Sequence, residues 1–148
     1  MVFVRKLADG FVLTDRTAAL DVDVIHRYIA EESYWARGRS RSVTEAAVAG
    51  SLCMGLFTPD GQQAGFGRVV TDFATMAHLS DVFVLTPYRG GGHGRALVEA
   101  LLFHPALRGV RRWSLATADA HGLYARYGFG PLNRPESQMM RVVDVQDA

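Results

Sequence analysis

The chain has 148 residues, of which 49% are hydrophobic and 21% charged, with a formal net charge of +1. That length suits one domain, 1–148, able to bury about two-thirds of its unfolded surface, and so balanced a charge excludes the strong basic field that nucleic-acid binding needs. A lone cysteine allows no internal disulfide, no apolar run nears the ~20 residues of a membrane span, and the opening residues lack a signal-peptide core, so a cytoplasmic protein with no membrane partner is expected.

Val2 to Lys6 and Phe11 to Thr14 read as short strands around the turn Ala8-Asp9-Gly10. Asp21 is placed to cap a helix whose apolar stripe is Val24, Ile25, Tyr28 and Ile29. A polar, basic connection follows through Arg37, Gly38, Arg39, Ser40 and Arg41. Ser42 with Glu45 three residues on predicts the capped start of a second helix, with Val43, Ala46 and Ala47 facing inward and Gly50 at its end. Leu52–Phe57 and Ala64–Thr71 read as strands joined by the turn Thr58-Pro59-Asp60-Gly61, in which proline and glycine supply the required backbone angles. Ala77–Leu85 should be a further strand, Trp113–Thr117 another, Ala120–Tyr127 a short helix and Gln138–Val143 a closing strand. This order fits an α/β (α+β) fold with a mixed, mostly antiparallel central sheet flanked by about four helices.

The most informative stretch runs from Asp81 to Phe103. The apolar run Val82-Phe83-Val84-Leu85 ends before Pro87, then Arg89 leads through Gly90, Gly91, Gly92, His93 and Gly94 into a helix with Leu97, Val98, Leu101 and Leu102 on one face. Glycines let backbone approach a ligand closely, and the first turn of a helix leaves N–H groups unpaired at the positive end of its dipole, so such a turn favours phosphate. A plain tight strand-to-helix connection needs fewer glycines. Neither a dinucleotide fingerprint nor a P-loop fits, because Arg95, Ala96 and Leu97 stand where those motifs need glycine, lysine or a hydroxyl.

The spacing Arg89, Gly92, Gly94 resembles the acyl-CoA loop signature Q/R-x-x-G-x-G/A of the GCN5-related N-acetyltransferases, the GNAT family. Leu123 to Phe129, LYARYGF, resembles that family's second recurring element, in order and at about the usual interval. The resemblance implies a direct transfer of acetyl from acetyl-CoA to a primary amine of a small molecule or peptide. Phosphates would lie against Arg89, Gly90, Gly91, Gly92, His93, Gly94 and Arg95, and pantetheine would pair with the main chain of Phe83, Val84 and Leu85. Tyr124 would protonate the departing thiolate, its phenol being neutral at pH 7 and able to donate in the favourable direction; the other reading is a tyrosine packed beside Phe129.

Some family members carry a glutamate on the strand before the loop as the base. Here no glutamate lies between Gly50 and Glu99, which leaves Asp81, His78 or bulk water. Three residues apart, Asp81 and His78 fall on opposite faces of a regular strand unless a bulge intervenes. Asp119 and His121 replace the asparagine-containing approach usual before the family's tyrosine. The segment Tyr34, Trp35, Arg37, Arg39 would border the acceptor side in that fold, offering an aromatic wall and a cation for an acidic amine, or else a core cap with solvated arginines. The five histidines show no metal spacing and Cys53 lies in an apolar strand, so neither a metal nor a covalent acyl-enzyme is expected. The alternative function is a catalytically silent acyl-CoA-binding sensor module. A homodimer is left open.

Overall fold

In the computed structural model, which describes residues 2–144, the N-terminal hairpin pairs Val4–Lys6 (β1) with Val12–Thr14 (β2), and Gly10 takes φ +89° at its turn. The chain forms two compact units, one running through Ala116 and one from Thr117 onward. The first contains a six-stranded sheet in simple sequence order, continuing through Leu52–Phe57 (β3), Gln63–Thr71 (β4), Met76–Val84 (β5) and Arg112–Ser114 (β6). All neighbours are antiparallel except β5 and β6, and a parallel pair needs a crossover, which the helix His93–Leu102 (α3) supplies.

Helices cover both faces. Asp21 caps Val22–Arg27 (α1) by accepting from the Val24 N–H at 3.2 Å, and the helix widens into a π turn over Tyr28–Glu32, where Ser33 N–H reaches the Tyr28 carbonyl. Ser33 Oγ donates to the Ile29 carbonyl at 2.6 Å, helping to close this turn. Ile25, Tyr28 and Ile29 are buried against Cys53, Phe66 and Phe83 on one face of the sheet. On the other, Leu97 and Leu101 of α3 are buried, and a Cβ at Gly67 would stand 2.7 Å from Leu101 Cδ1, so the glycine lets the helix sit close.

Three expectations need correction. The second helix is Arg41–Ala49 (α2), capped by Ser40 and not Ser42, because Ser40 has the extended backbone of a cap and its Oγ accepts from Val43 N–H. Its buried residues are Thr44 and Val48, while Val43 and Ala46 are exposed and Ala47 is half-buried. Thr44 can be buried because its hydroxyl meets His26 Nδ1 of α1 at 2.9 Å, a pairing hidden from a reading by hydrophobicity. The strand expected over Trp113–Thr117 stops at Ser114: a bulge in β5 bends that strand and ends its pairing with β6. The closing strand expected over Gln138–Val143 carries no ladder, and Met139 is 97% exposed there; β-prone side chains make a strand only where an edge receives them.

Gly65 on β4 offers a test of the packing. A Cβ there would lie 2.8 Å from the Phe83 carbonyl oxygen and 3.3 Å from Leu56, and backbone yields less readily than a side chain tip. Gly65→Ala should cost about 1–3 kcal/mol in urea unfolding. Gly109→Ala, with nothing within 4 Å of the new carbon, should unfold as the parent does.

Candidate active site

The site grows from an irregularity in β5. Arg68 of β4 pairs with Ser80 and Phe66 with Phe83, so Asp81 and Val82 together oppose Gly67 alone, and Asp81 takes φ +51°. This is the bulge that lifts the opposite-face restriction. His78 pairs with Val70 and Ser80 with Arg68, which puts His78 and Arg68 on one face, and the bulge turns the Asp81 carboxylate toward the same side.

There Asp81 is enclosed. Its side chain is 3% exposed; Oδ2 accepts from Arg39 Nη1 and Arg68 Nε, each at 2.7 Å, and Oδ1 from Trp35 Nε1 at 2.7 Å. Arg68 also reaches Ser51 Oγ at 3.0 Å and Ser80 Oγ at 3.4 Å. Burial alone would push the Asp81 carboxyl up, but the Arg39 and Arg68 guanidinium groups outweigh it and hold it below the ordinary carboxylate range. The structure thus brings together Asp81, Trp35 and Arg39, which are far apart in sequence. Arg37 and Tyr34 stand exposed beside them, Arg37 donating to the Ser33 carbonyl at 3.2 Å and Tyr34 packing edge-on against Trp35. His78 meets Ser114 Oγ at 2.8 Å, and burial followed by the nearby Arg68 charge pushes its pKa below the usual histidine value. Cys53 is buried and its thiol is pushed up to about 12 by burial, which suits a core residue and not a nucleophile.

Downstream of the bulge the outer edge of β5 is open. β6 pairs only with Met76–His78, so from Leu79 on no strand covers that edge among the described residues. Leu85 N–H bonds to the Ala64 carbonyl, and by the alternation of a ladder the N–H and carbonyl of Val84 point the other way, outward. The Val84 carbonyl receives Arg89 Nε at 2.8 Å, while Arg89 Nη2 donates to Tyr28 Oη at 3.0 Å. The arginine of the loop signature is therefore a brace between strand, loop and α1, its side chain turned from the glycines.

Gly90 and Gly92 take φ +87° and +80°, with nothing within 4 Å of a Cβ at either, and Gly92 caps α3 without any side-chain hydrogen bond. The first amides of α3 thus present their hydrogens with no capping side chain, over glycines that leave room for an anion. A pyrophosphate fits this cradle, and an extended amide-bearing arm fits the open edge of β5. Arg95 is exposed and reaches Glu99 at 3.4 Å. His93, counted among the loop residues, is buried with both ring nitrogens engaged.

In the second unit, His121–Ala125 forms a short helix (α4) carrying Tyr124. Gly128 at φ +89° donates to the Ala125 carbonyl, and Phe129 N–H reaches the Tyr124 carbonyl at 3.3 Å. This is a Schellman end, and the edge-on contact of Tyr124 with Phe129 is the apolar contact that accompanies it. The motif Y-x-x-x-G-F has a structural reason of its own: glycine for the left-handed residue, aromatics for the clasp. Among the described residues no group of histidine, cysteine or carboxylate side chains could hold a metal ion, and no helix is long and apolar enough to cross a membrane.

Comparison with known proteins identifies the family and the fold. The family model for the acetyltransferase (GNAT) domain matches residues 52–131, and the chain belongs to the GNAT acetyltransferase family. A Gibberella zeae protein, itself named as a candidate acetyltransferase, is 30% identical over 139 residues, covering 80% of this chain and 77% of that one. A crystal structure of a candidate GNAT acetyltransferase from Xanthomonas campestris pv. campestris is 47% identical, covers 90% of this chain and 93% of its own, and superposes with a TM-score of 0.87. A Mycobacterium tuberculosis protein solved in complex with CoA and NLQ shares the fold, at 22% identity and a TM-score of 0.66 over 88% of this chain and 73% of its own.

The Asp81 cluster predicts a pH-dependent stability. A carboxylate depressed in the folded state stabilises it above the unfolded value, near 3.9, and that contribution is lost as pH falls through the folded value. Asp81→Asn keeps a residue tolerant of positive φ but removes the charge and turns one accepting oxygen into an NH2 donor that faces other N–H groups, which should cost roughly 3–5 kcal/mol at pH 7 in urea unfolding. The gap from the parent protein should narrow steadily as pH is lowered below about 4.

Proposed function

We propose that this chain transfers acetyl from acetyl-CoA directly to a primary amine of a small molecule or peptide, as a cytoplasmic enzyme of one catalytic domain that needs no metal. The observation that carries the reading is the open edge of β5 running into an uncapped, glycine-lined helix start. The M. tuberculosis protein of the same fold, solved with CoA, supports it. Acetyl-CoA brings an activated thioester. The amides of Gly92 to Arg95 hold its phosphates, and on the open edge of β5 the outward N–H of Val84 donates to the thioester carbonyl as charge builds there, while the main-chain groups expected of Phe83 and Leu85 are turned to β4.

Of the two candidate bases, His78 is the better suited. It is neutral at pH 7 and can take a proton from the amine directly or through water, whereas Asp81 is ionised, shielded and already bonded to three side chains. Asp81 then serves to position Trp35 and Arg39. Tyr124 keeps the role of acid toward the leaving thiolate that the family resemblance gives it. Arg39 offers N–H groups beyond the two given to Asp81, and with Arg37 and Arg68 it leaves local positive charge in excess over Asp81, which favours an acceptor amine that also bears a carboxylate. The engaged Asp81 also favours the second reading, a module that binds acyl-CoA without turnover.

A panel of amines with a thiol-detecting reagent decides between them: amine-dependent thiol release supports the enzyme, and acetyl-CoA binding with no release from any amine supports the silent module. Gly94→Asp should abolish binding in calorimetry. Its backbone tolerates a side chain, with Val84 at 3.7 Å, so loss would report the added carboxylate among the amides and not misfolding. Unchanged affinity in a folded Gly94→Asp variant would remove the loop from the site.

Role assignments are tested with the best amine found. Tyr124→Phe should lower kcat by roughly 10²-fold with acetyl-CoA affinity kept, and Tyr127→Phe should not. Removing His78 as His78→Gln should erase an acid limb of the rate profile lying below the ordinary histidine value. Arg37→Ala, exposed and outside the Asp81 cluster, should raise KM for an acidic amine and leave KM for acetyl-CoA alone; no change in any of these parameters sinks the corresponding role.

A further inference from the structure

The hairpin β1–β2 meets α3 at both of its ends, each time through an aspartate, a histidine and a phenylalanine. After the C-terminal end, His104 Nε2 lies 2.7 Å from Asp15 Oδ2, its Nδ1 accepts from Ala106 N–H at 3.0 Å, and Phe3 packs 5.6 Å away. An accepting Nδ1 fixes the neutral tautomer there, with its hydrogen on Nε2. At the N-terminal end the arrangement differs. His93 Nε2 lies 2.7 Å from Asp9 Oδ2 and Nδ1 lies 3.0 Å from the Tyr88 carbonyl, with Phe11 stacked at 4.1 Å.

Both partners of the His93 ring are pure acceptors. Two hydrogen bonds therefore require two N–H groups, so the ring is an imidazolium. A cation at the first residue of a helix opposes the dipole, and Asp9 is the carboxylate that faces it. Of the other groups around the ring, Phe11 and the Tyr88 carbonyl are uncharged, and Arg95, two residues along the same helix, reaches Glu99. Burial opposes the charge, but the Tyr88 carbonyl and Asp9 outweigh it and raise the His93 pKa above the ordinary value.

The Tyr88-to-His93 bond closes a loop over Arg89, Gly90, Gly91 and Gly92. Arg89 anchors the start of the segment to Val84 and Tyr28, Gly90 and Gly92 have no neighbour within 4 Å of a Cβ, and a Cβ at Gly91 would meet only the His93 ring, so beyond Arg89 it is His93 that holds the segment down. When the ring loses one proton, the Asp9 carboxylate retains the hydrogen on Nε2. Nδ1 then turns a lone pair toward the Tyr88 oxygen, and attraction becomes repulsion.

We propose that Asp9 is a positioning residue for the acyl-CoA phosphate loop, holding His93 as the doubly donating ring that closes the loop and thereby making acyl-CoA affinity fall as pH rises. The proposal rests on the acyl-CoA reading of that loop. The sign follows from the chemistry: a cation stabilised in the folded protein contributes below its titration and is lost above it.

The test is calorimetry with acetyl-CoA, whose thioester removes the thiol titration, across pH 5.5–9 on the whole chain. The parent protein should weaken by about five-fold over that range, the worth of one hydrogen bond, and the ligand's own phosphate titration cancels between variants. In Asp9→Asn the weakening should begin at lower pH, and Asp9→Glu should restore part of the parent profile. Asp15→Asn, at the other end of α3, loosens the same hairpin and should lower the unfolding midpoint while leaving the acetyl-CoA profile in place. Ring NMR, with His93 assigned by its loss in His93→Gln, should show its titration move down in Asp9→Asn. A folded Asp9→Asn whose affinity and pH profile match the parent overturns the positioning role, as does an Asp15→Asn profile shifted equally. If the parent binds no acetyl-CoA at any pH, the acyl-CoA reading falls and this role with it, while the ring titration still reports the Asp9 contact.

Discussion

Most of what is specific to this molecule depends on one residue in a left-handed conformation, Asp81. An L-residue other than glycine pays for that geometry, and aspartate is among the few that tolerate it. By inserting itself between Ser80 and Val82 it bends β5 away from β6 and leaves the edge beyond Leu79 open. It also carries a carboxylate to the helical face, where Trp35, Arg39 and Arg68 converge on it. The strain is held because four side chains from three separate parts of the chain would lose buried hydrogen bonds if it relaxed. The bulge, the open edge of β5 and the placement of the segment 34–39 are thus one arrangement and not three.

The glycine loop is fastened by other means. Arg89 ties it to the strand and to Tyr28, whose ring stacks on Phe83 at 4.0 Å, and His93 ties it to the N-terminal hairpin. Neither side chain is spent on an anion. The amides of the first turn of α3 are left without a capping side chain, which is the feature the proposed phosphate contact rests on.

Legibility in the sequence followed the locality of the physics. The strands β3, β4 and β5, the Asp21 cap and the start of α3 near the glycines could be read because hydrophobic period, cap and turn residues act over a few positions. Asp81 was singled out as an ionisable group near the reaction strand, but its three partners lie 13 to 46 residues away and no local pattern announces them. Asp9 was read only as part of a turn, since its partner is 84 residues distant. Thr44 was passed over for Val43 because polarity was weighed and His26 could not be. The lost strand over 138–143 failed for a related reason: its composition was right and nothing pairs with it.

The segment 34–39 alternates in a way that bears on redesign. Trp35 and Arg39 are bonded to the buried carboxylate, whereas exposed Tyr34 packs edge-on against Trp35 and exposed Arg37 donates to the Ser33 carbonyl. The positions therefore differ in how directly they bear on the carboxylate. A library confined to 37 explores new contacts with incoming molecules while leaving every bond to Asp81 in place, one that includes 34 also changes the ring packed on Trp35, and one that touches 35 or 39 gambles the frame itself.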